Sequence, residues 1–346
     1  MTRGNSTLNK SRYTRNNDEF YTTYETIEKE LVYYKTQLQN KIILCNCDDP
    51  FESNFSKYFI RNFNKLKLKR LITTSYGESK ITSTQGNLLD TEGNPLVRGY
   101  GYVMNISKVP REINENTTGK KIHNWLRKNR FVKKLKGIGD FRSSECIKYL
   151  KKADVVITNP PFSLFREFIS LITEFRKQFL VIGNANALTY KEIFPLIKNN
   201  KAWIGYKFGD MSFKVPSDSK ARKTRYWVDE RGQKWRSLGN AMWLTNIDIQ
   251  KRHESIVLKK NYMPSIYPKF DGYNAIEVSH VANIPIDYDG IMAVPITFLN
   301  KYNPTQFVII GEANHGSDNP FDLFKPVING KLIYKRILIK HAMGEK

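Results

Sequence analysis

Acidic residues, cysteines and long apolar runs are all scarce in this 346-residue chain. No segment approaches the ~18 consecutive apolar residues that cross a bilayer, so no membrane-spanning helix is expected. The opening residues are polar throughout and lack the apolar stretch of a secretory signal. The three cysteines, Cys45, Cys47 and Cys146, form no C-x-x-C pair. So sparse and odd a set leaves no disulfide framework and fits a reducing, cytoplasmic setting. Five histidines are scattered without an H-E-x-x-H or a companion cysteine cluster, and no metal site is expected. The shortage of acids says most: 33 Asp and Glu face 56 Lys and Arg, a formal net charge of +23. A charge of that size points to a polyanionic partner. Hydrophobic residues at 40% and aromatics at 13% set the chain apart from a disordered basic tail and supply core for about two domains.

What is present alternates strand and helix. Ile27, Leu31, Tyr34 and Leu38 recur at helical spacing. Residues 41–45 (KIILC) form a short apolar strand that runs into the polar turn N-C-D-D-P, and residues 53–63 are expected to be helical. Residues 70–74 (RLITT) are a second strand; 154–158 (DVVIT) and 179–183 (FLVIG) follow, with a helix over 164–175 between them. Thr189 with Glu192 has the spacing of a capping box opening a helix over TYKEIFPLIKNN. Strands are also expected at 202–208 and 241–246. This rhythm specifies an α/β fold, a doubly wound, mostly parallel sheet with helices on both faces. Residues 77–136 break it, as a long insertion with weak periodicity, and beyond residue 209 the chain becomes turn-rich and irregular.

Basic residues cluster outside the α/β segments. Residues 1–17 carry Arg3, Lys10, Arg12 and Arg15 and no acid, the composition of a flexible, solvated arm able to neutralise phosphates. Residues 120–136 hold Lys120, Lys121, Arg127, Lys128, Arg130, Lys133, Lys134 and Lys136, again without an acid, interleaved with Trp125 and Phe131. Residues 214–236 hold Lys214, Lys220, Arg222, Lys223, Arg225, Arg231, Lys234 and Arg236 among Tyr226, Trp227 and Trp235. A solvated face explains a charge run alone; interleaved aromatics favour contact with nucleic acid.

In open parallel sheets ligands sit beyond the carboxyl ends of the strands. Three polar motifs fall there: residues 46–50, Gly139-Asp140-Phe141, and Asn159-Pro160-Pro161-Phe162 after DVVIT. The last is the most specific. Its prolines restrict the loop and remove backbone donors, leaving acceptors. The Asn159 side-chain oxygen and the Pro160 carbonyl are placed to accept from one amino group, and Phe162 to lie against a planar ring. An amine on an aromatic heterocycle is a poor nucleophile because its lone pair is delocalised. Two acceptors on its protons favour the localised, tetrahedral form that attacks a methyl group directly. Phe213 is a further aromatic candidate beside such a base, whereas Trp243 fits core packing better. Read without that chemistry, the motif is a rigid turn, Asp48, Asp49 and Asp140 are helix caps, and Cys45 and Cys47 are strand-end core residues.

T-N-P-P-F resembles the catalytic motif of amino-group methyltransferases that use S-adenosylmethionine. Together with D-E-F-Y-T (18–22), C-N-C-D-D-P (45–50), G-D-F-R-S-S-E (139–145), W-L-T-N (243–246), V-P-I-T-F-L (294–299) and R-I-L-I-K (336–340), it makes the chain resemble the EcoRI-type adenine-specific DNA methyltransferases. The resemblance implies that Asn159, Pro160 and Phe162 bind and stack an extruded adenine, with Pro161 shaping the loop. It implies that Asp140 and Phe141 hold the adenine end of the cofactor and that Tyr21 and Thr22 touch its methionine end. Asn46, Asp48, Asp49 and Pro50 stand where a glycine-rich cofactor loop is usual; no F-x-G-x-G is present, and the second strand ends in Ser75-Tyr76 rather than an acid. Lys120, Lys121, Arg127, Lys128, Arg130, Lys214, Arg222, Lys223 and Arg225 would bind double-stranded DNA. The implied organisation is an arm (1–17), a cofactor-binding catalytic domain (18–208) carrying the insertion, and a target-recognition region packed on the sheet (209–346). A monomer, and a cognate restriction endonuclease acting on the same short palindrome, are further family-level implications.

No Pro-Cys dipeptide exists, so the covalent route to cytosine carbon has no nucleophile. Two other readings stay open on sequence alone. One is methylation of RNA adenine; the other is a non-catalytic DNA-binding protein on a methyltransferase scaffold.

Overall fold

The computed structural model describes residues 20–77, 99–221, 223, 225–314 and 325–342. The expected arm (1–17), residues 78–98 of the expected insertion, and Arg222 lie outside them. The chain divides into two compact units, one of residues 1–187 with Tyr206–Ile247, the other of Leu188–Gly205 with residues from Asp248 onward.

The first unit is built on a mixed sheet. In chain order its elements are β1 (Tyr21–Thr22), α1 (Tyr24–Leu31), β2 (Ile42–Asn46), α2 (Asn54–Arg61), β3 (Arg70–Thr74), β4 (Tyr102–Ile106), α3 (Gly119–Lys128), β5 (Val132–Lys134), α4 (Ser144–Lys152), β6 (Val155–Thr158), α5 (Phe165–Glu174), β7 (Gln178–Asn184), β8 (Trp203–Lys214), β9 (Tyr226–Val228) and β10 (Lys234–Thr245). The ten strands lie in the order β1-β8-β10-β7-β6-β2-β3-β4-β5, with β9 paired to β10. The centre is parallel: β3 on β2, β2 on β6, β6 on β7. These strands are near-continuous apolar runs because both of their faces are buried. The flanks are antiparallel, β4 and β5 on one side and β10 against β7 on the other.

Local signals set the helices. Ser53 caps α2 through its hydroxyl, which accepts from the Phe55 amide, and Phe55, Tyr58 and Phe59 turn inward. Ser143 caps α4, with Glu145 in its first turn and Lys151 and Lys152 in its last, each sign at the favourable end of the helix dipole. Ile27, Leu31, Tyr34 and Leu38 are all fully buried. The α1 helix is fixed to β8 by Glu30, whose buried carboxylate accepts from the Tyr34 hydroxyl and from the Tyr206 and Lys207 amides, each at 2.8 Å.

Three expectations are corrected. Residues 99–136 are not structureless: β4, α3 and β5 extend the sheet's edge, and they escape pattern reading because β4 is buried almost throughout while β5 is three residues long with two exposed lysines. The capping box of Thr189 and Glu192 does not form; Thr189 accepts from Lys335, and α6 (Phe194–Lys198) starts later, because Pro195 is tolerated only in a first turn. The C-terminal region is not irregular either. With α6 it contains β11 (Lys269–Phe270), β12 (Tyr273–Glu277), β13 (Ile291–Val294), β14 (Phe307–Ala313), the hairpin β15 (Val327–Ile328) and β16 (Lys331–Leu332), and β17 (Arg336–His341). A five-stranded sheet ordered β11-β12-β13-β17-β14 forms its core. A bidentate Arg336–Glu277 pair, both side chains largely buried, ties β17 to β12.

Candidate active site

The carboxyl ends of β2, β3 and β6 open onto one cleft in the first unit, closed on its far side by β1. Of the residues singled out in the sequence, Tyr21, Thr22, Asp48, Asp49, Asp140, Phe141, Asn159, Pro160 and Pro161 line it; Asn46, Pro50 and Phe162 do not. Phe20, Glu52, Ser75, Tyr76 and Gly139 also line it and carried no site assignment.

Four acidic side chains (Asp48, Asp49, Glu52 and Asp140) face this cleft, and among the described residues no Lys or Arg lines it. Asp49 is a turn cap, its Oδ1 accepting from the Phe51 and Glu52 amides at 2.9 Å each. Burial nevertheless raises its carboxyl above the ordinary range. Asp140 accepts from the Arg142 amide and, bidentately, from its guanidinium. Burial opposes its ionisation, but these bonds outweigh burial and hold it below the usual carboxylate range. Arg142 in turn reaches Glu167 on α5 at 2.5 Å.

Asp48 is the most constrained. Burial pushes it up to about 7 against the bonds from Ser53 and Thr158. The Ser53 hydroxyl donates to Oδ1 at 2.6 Å, while the Thr158 hydroxyl contacts both Oδ2, at 2.6 Å, and the Asn46 carbonyl. One hydroxyl has one proton. An un-ionised Asp48 donating to Thr158, which then donates to Asn46, satisfies all three oxygens.

Glycine provides the room that the absent F-x-G-x-G would have provided, but from another quarter. At Gly139, with φ +78°, an added Cβ would run into the Ser75 carbonyl; at Gly101 it would meet Gly139 itself at 2.6 Å. The backbones that wall the cleft at the end of β3 pack too closely for any side chain.

Asn159 stands just beyond β6. Its Nδ2 donates to the Phe20 carbonyl at 2.7 Å and to Thr22 Oγ1 at 3.1 Å. The Phe20 carbonyl is only an acceptor, so the amide orientation is fixed. Its Oδ1 is thereby left buried with no hydrogen-bond partner among the described residues. Phe162 stacks on Phe20 at 5.3 Å and 22°, and both meet the edge of fully buried Phe213. Trp243 is a core residue, fully buried and edge-on to Phe55. Cys45 and Cys47 have their thiols pushed well up by burial, which leaves neither a thiolate.

The basic residues sit on two surfaces. Lys120, Lys121 and Lys128 are exposed on α3 and Arg127 is partly exposed, while Ile122 and Leu126 face inward. Arg130 follows in a left-handed turn. His123 anchors the helix to the Phe51 carbonyl at 2.8 Å. Trp125 and Phe131 pack on each other rather than standing free. Lys223 and Arg225 are exposed ahead of β9. On the β9–β10 ribbon Trp227 and Trp235 stack at 6.1 Å with planes 4° apart, and Lys214 lies 5.4 Å over Trp235. Arg225 pairs with Asp210 at 3.5 Å. Among the described residues no His, Cys, Asp and Glu cluster could hold a metal, and no helix is long and apolar enough to cross a membrane.

Comparison with known proteins agrees with this geometry. Type II methyltransferase M.EcoRI of Escherichia coli is 43% identical, covering 99% of this chain and 98% of that protein. Type II methyltransferase M.MgeORF184P of Mycoplasma genitalium is 36% identical over 96% of this chain and 98% of its own length. M.MpnI of Mycoplasma pneumoniae, also a Type II methyltransferase, is 36% identical over 88% and 84%. Residues 7–342 match the model of the family described as adenine-specific methyltransferase EcoRI. An α/β sheet that ends in an acid-lined cleft beside N-P-P-F therefore has its place: the chain belongs to the EcoRI family of adenine-specific methyltransferases, enzymes that need a methyl donor.

Proposed function

We propose that this DNA methyltransferase transfers a methyl group from S-adenosylmethionine to the N6 amine of an adenine flipped out of duplex DNA at one short sequence. The observation that carries this reading is Asn159 Oδ1, buried, unpartnered and locked in orientation beside the cleft. A buried acceptor costs free energy until a donor reaches it, and an adenine amine is such a donor. With the Pro160 carbonyl as second acceptor, the amine is drawn toward its tetrahedral form, and its lone pair is freed for attack. Phe162 stacks on the extruded base, which offsets part of the few kcal/mol that unstacking costs. Catalysis rests on positioning and on acceptors aimed at the amine, with no covalent enzyme intermediate.

The residues present fit the donor. Bound in the cleft, S-adenosylmethionine supplies an electrophilic methyl on a cationic sulfur. Asp49 and Glu52 suit its positive charge, Asp140 and Phe141 its adenine end, and Tyr21 and Thr22 its methionine end; un-ionised Asp48, with Asn46 and Pro50, fixes the loop that carries them. Lys120, Lys121, Arg127, Lys128, Arg130, Lys214, Lys223 and Arg225 engage phosphates, and residues 209–346 supply target recognition. A cytoplasmic monomer, methylating one strand at a time at a site shared with a cognate endonuclease, completes the proposal.

Incubation with tritiated S-adenosylmethionine and unmethylated genomic DNA tests it, with nucleoside analysis and sequencing of the modified sites. Label in N6-methyladenine at one short motif is expected; label absent from DNA, or on another base, sinks the reading. Asn159→Ala is expected to lower turnover by at least ~100-fold, the scale of losing one aimed polar group, with duplex affinity unchanged.

A further inference from the structure

The proposed stacking face of Phe162 is already covered. Phe20 lies on it at 5.3 Å and 22°, and its own ring is packed by the edge of Phe213 at 5.6 Å and by the Arg236 guanidinium at 5.1 Å. A base sandwiched between two rings needs about 7 Å from one to the other, twice the ~3.5 Å contact distance between carbon atoms. No purine fits between Phe20 and Phe162 as they stand. Of the three rings only Phe20 lines the proposed donor cleft; Phe162 and Phe213 do not. Phe20 is therefore the ring that borders both the Phe162 face and the cleft from which a methyl group would come.

We propose that the Phe20 ring is a place-holder for the target adenine, occupying the Phe162 face in the DNA-free enzyme and yielding it when the base enters. This rests on the reading of Phe162 as the adenine-stacking residue. Backbone movement is not required. The Phe20 carbonyl is held by Asn159 and the next residue, Tyr21, is registered against Lys214, so the ring leaves by rotation about its own side-chain bonds. Ring and base compete for one face while the Phe20 carbonyl keeps the Asn159 amide aimed throughout. The consequence is a common cost of entry. Only a base whose surrounding duplex contacts stabilise the flipped state displaces the ring, so Phe20 is a positioning residue that raises the threshold for entry at every site.

The experiment uses a duplex carrying the methylated motif with 2-aminopurine in place of the target adenine, whose emission rises when it leaves the stack. Phe20→Ala is expected to raise the flipped fraction or the extrusion rate about 5- to 10-fold. Methylation of single-mismatch sites is also expected to rise, by a similar factor, as a threshold common to every site requires. Phe20→Leu should behave in the same direction and Phe20→Tyr like the parent, with thermal melting confirming that each is folded. A fall in the flipped fraction with Phe20→Ala would make the ring a second stacking wall, and no change in any variant would make it a bystander; either overturns the proposal. A parent enzyme that binds the duplex and methylates DNA but shows no extrusion signal would instead count against adenine stacking on Phe162, and the place-holder would fall with it.

Discussion

The cleft and the outer surfaces of the first unit carry opposite charge. Among the described residues four acidic side chains and no Lys or Arg line the cleft, in a chain with 56 basic residues against 33 acidic ones. The α3 helix is the reverse, basic without an acid, and the β9–β10 ribbon sets lysines and arginines among aromatic rings with Asp229 and Glu230 confined to its turn. Net charge alone would have predicted a uniformly positive protein. The segregation matches the two ligands proposed above, a cationic methyl donor and a polyanionic duplex. Burial sharpens the contrast: the cleft acids are partly or wholly removed from water, where charge interactions are strong, whereas Lys120, Lys121, Lys128, Lys223 and Arg225 stand in solvent where salt screens them.

The largest expected effect is therefore on the basic side. If about six phosphates are engaged, affinity for duplex DNA should fall on the order of 1,000-fold between 50 and 200 mM salt. Replacing Lys120, Lys121 and Lys128 with alanine should reduce the slope of log K against log salt by about 0.9 for each phosphate left without its lysine, uniformly across DNA sequences. Fluorescence anisotropy at several salt concentrations checks this. A slope unaltered by the triple substitution would remove α3 from the interface.

Next is the ionisation of Asp48, which sets a cost on the acidic side. Its carboxyl is raised from 3.8 to about 7 by burial. A raised acid stabilises the fold fully below its unfolded value, and that contribution is lost as pH rises toward and through 7. The loss between about pH 4 and pH 7 is of order 4 kcal/mol at most. Asp48→Asn, which keeps the shape and cannot ionise, should be more stable than the parent above pH 7 and gain little below pH 4. Urea denaturation at pH 4.5, 6 and 8 measures it, and parallel profiles for the two proteins would show that Asp48 does not titrate in this interval.

What the sequence made legible follows from how local each signal is. Apolar runs ending in polar turns located β2, β3, β6 and β7 within a residue or two, and Ser53 capped the helix expected beside it. The N-P-P-F loop falls at a strand's carboxyl end, as an open parallel sheet requires. Signals that depend on distant partners were not legible. β8 and β10 each run twelve residues, yet only their apolar ends at 202–208 and 241–246 stood out, since the remainder alternates buried and half-exposed positions. Gly101 and Gly139 matter because they pack against each other and Ser75, a relation no spacing rule contains. Phe20 is one aromatic among 20 phenylalanines until the fold sets it on Phe162.

The smallest expected effect tests whether the cleft's sign is functional or incidental. Asp49→Asn keeps the cap on Phe51 and Glu52, because an amide oxygen accepts as a carboxylate oxygen does. Glu52→Gln gives up its long ion pair with Lys57, 3.5 Å, and keeps its size beside His123 at 3.6 Å. Together they remove up to two negative charges without reshaping the site. A unit charge a few ångströms away, in an environment between protein and water, is worth roughly 1 kcal/mol. The double variant should thus bind S-adenosylmethionine about 10-fold more weakly in isothermal titration. S-adenosylhomocysteine, which lacks the sulfonium charge, should lose about threefold or less, and duplex affinity should not change. Equal losses for the charged donor and its uncharged product would mean that these side chains hold the cleft's shape rather than its potential. The opposition between cleft and surface would then mark a difference in packing, not two ligands of opposite sign.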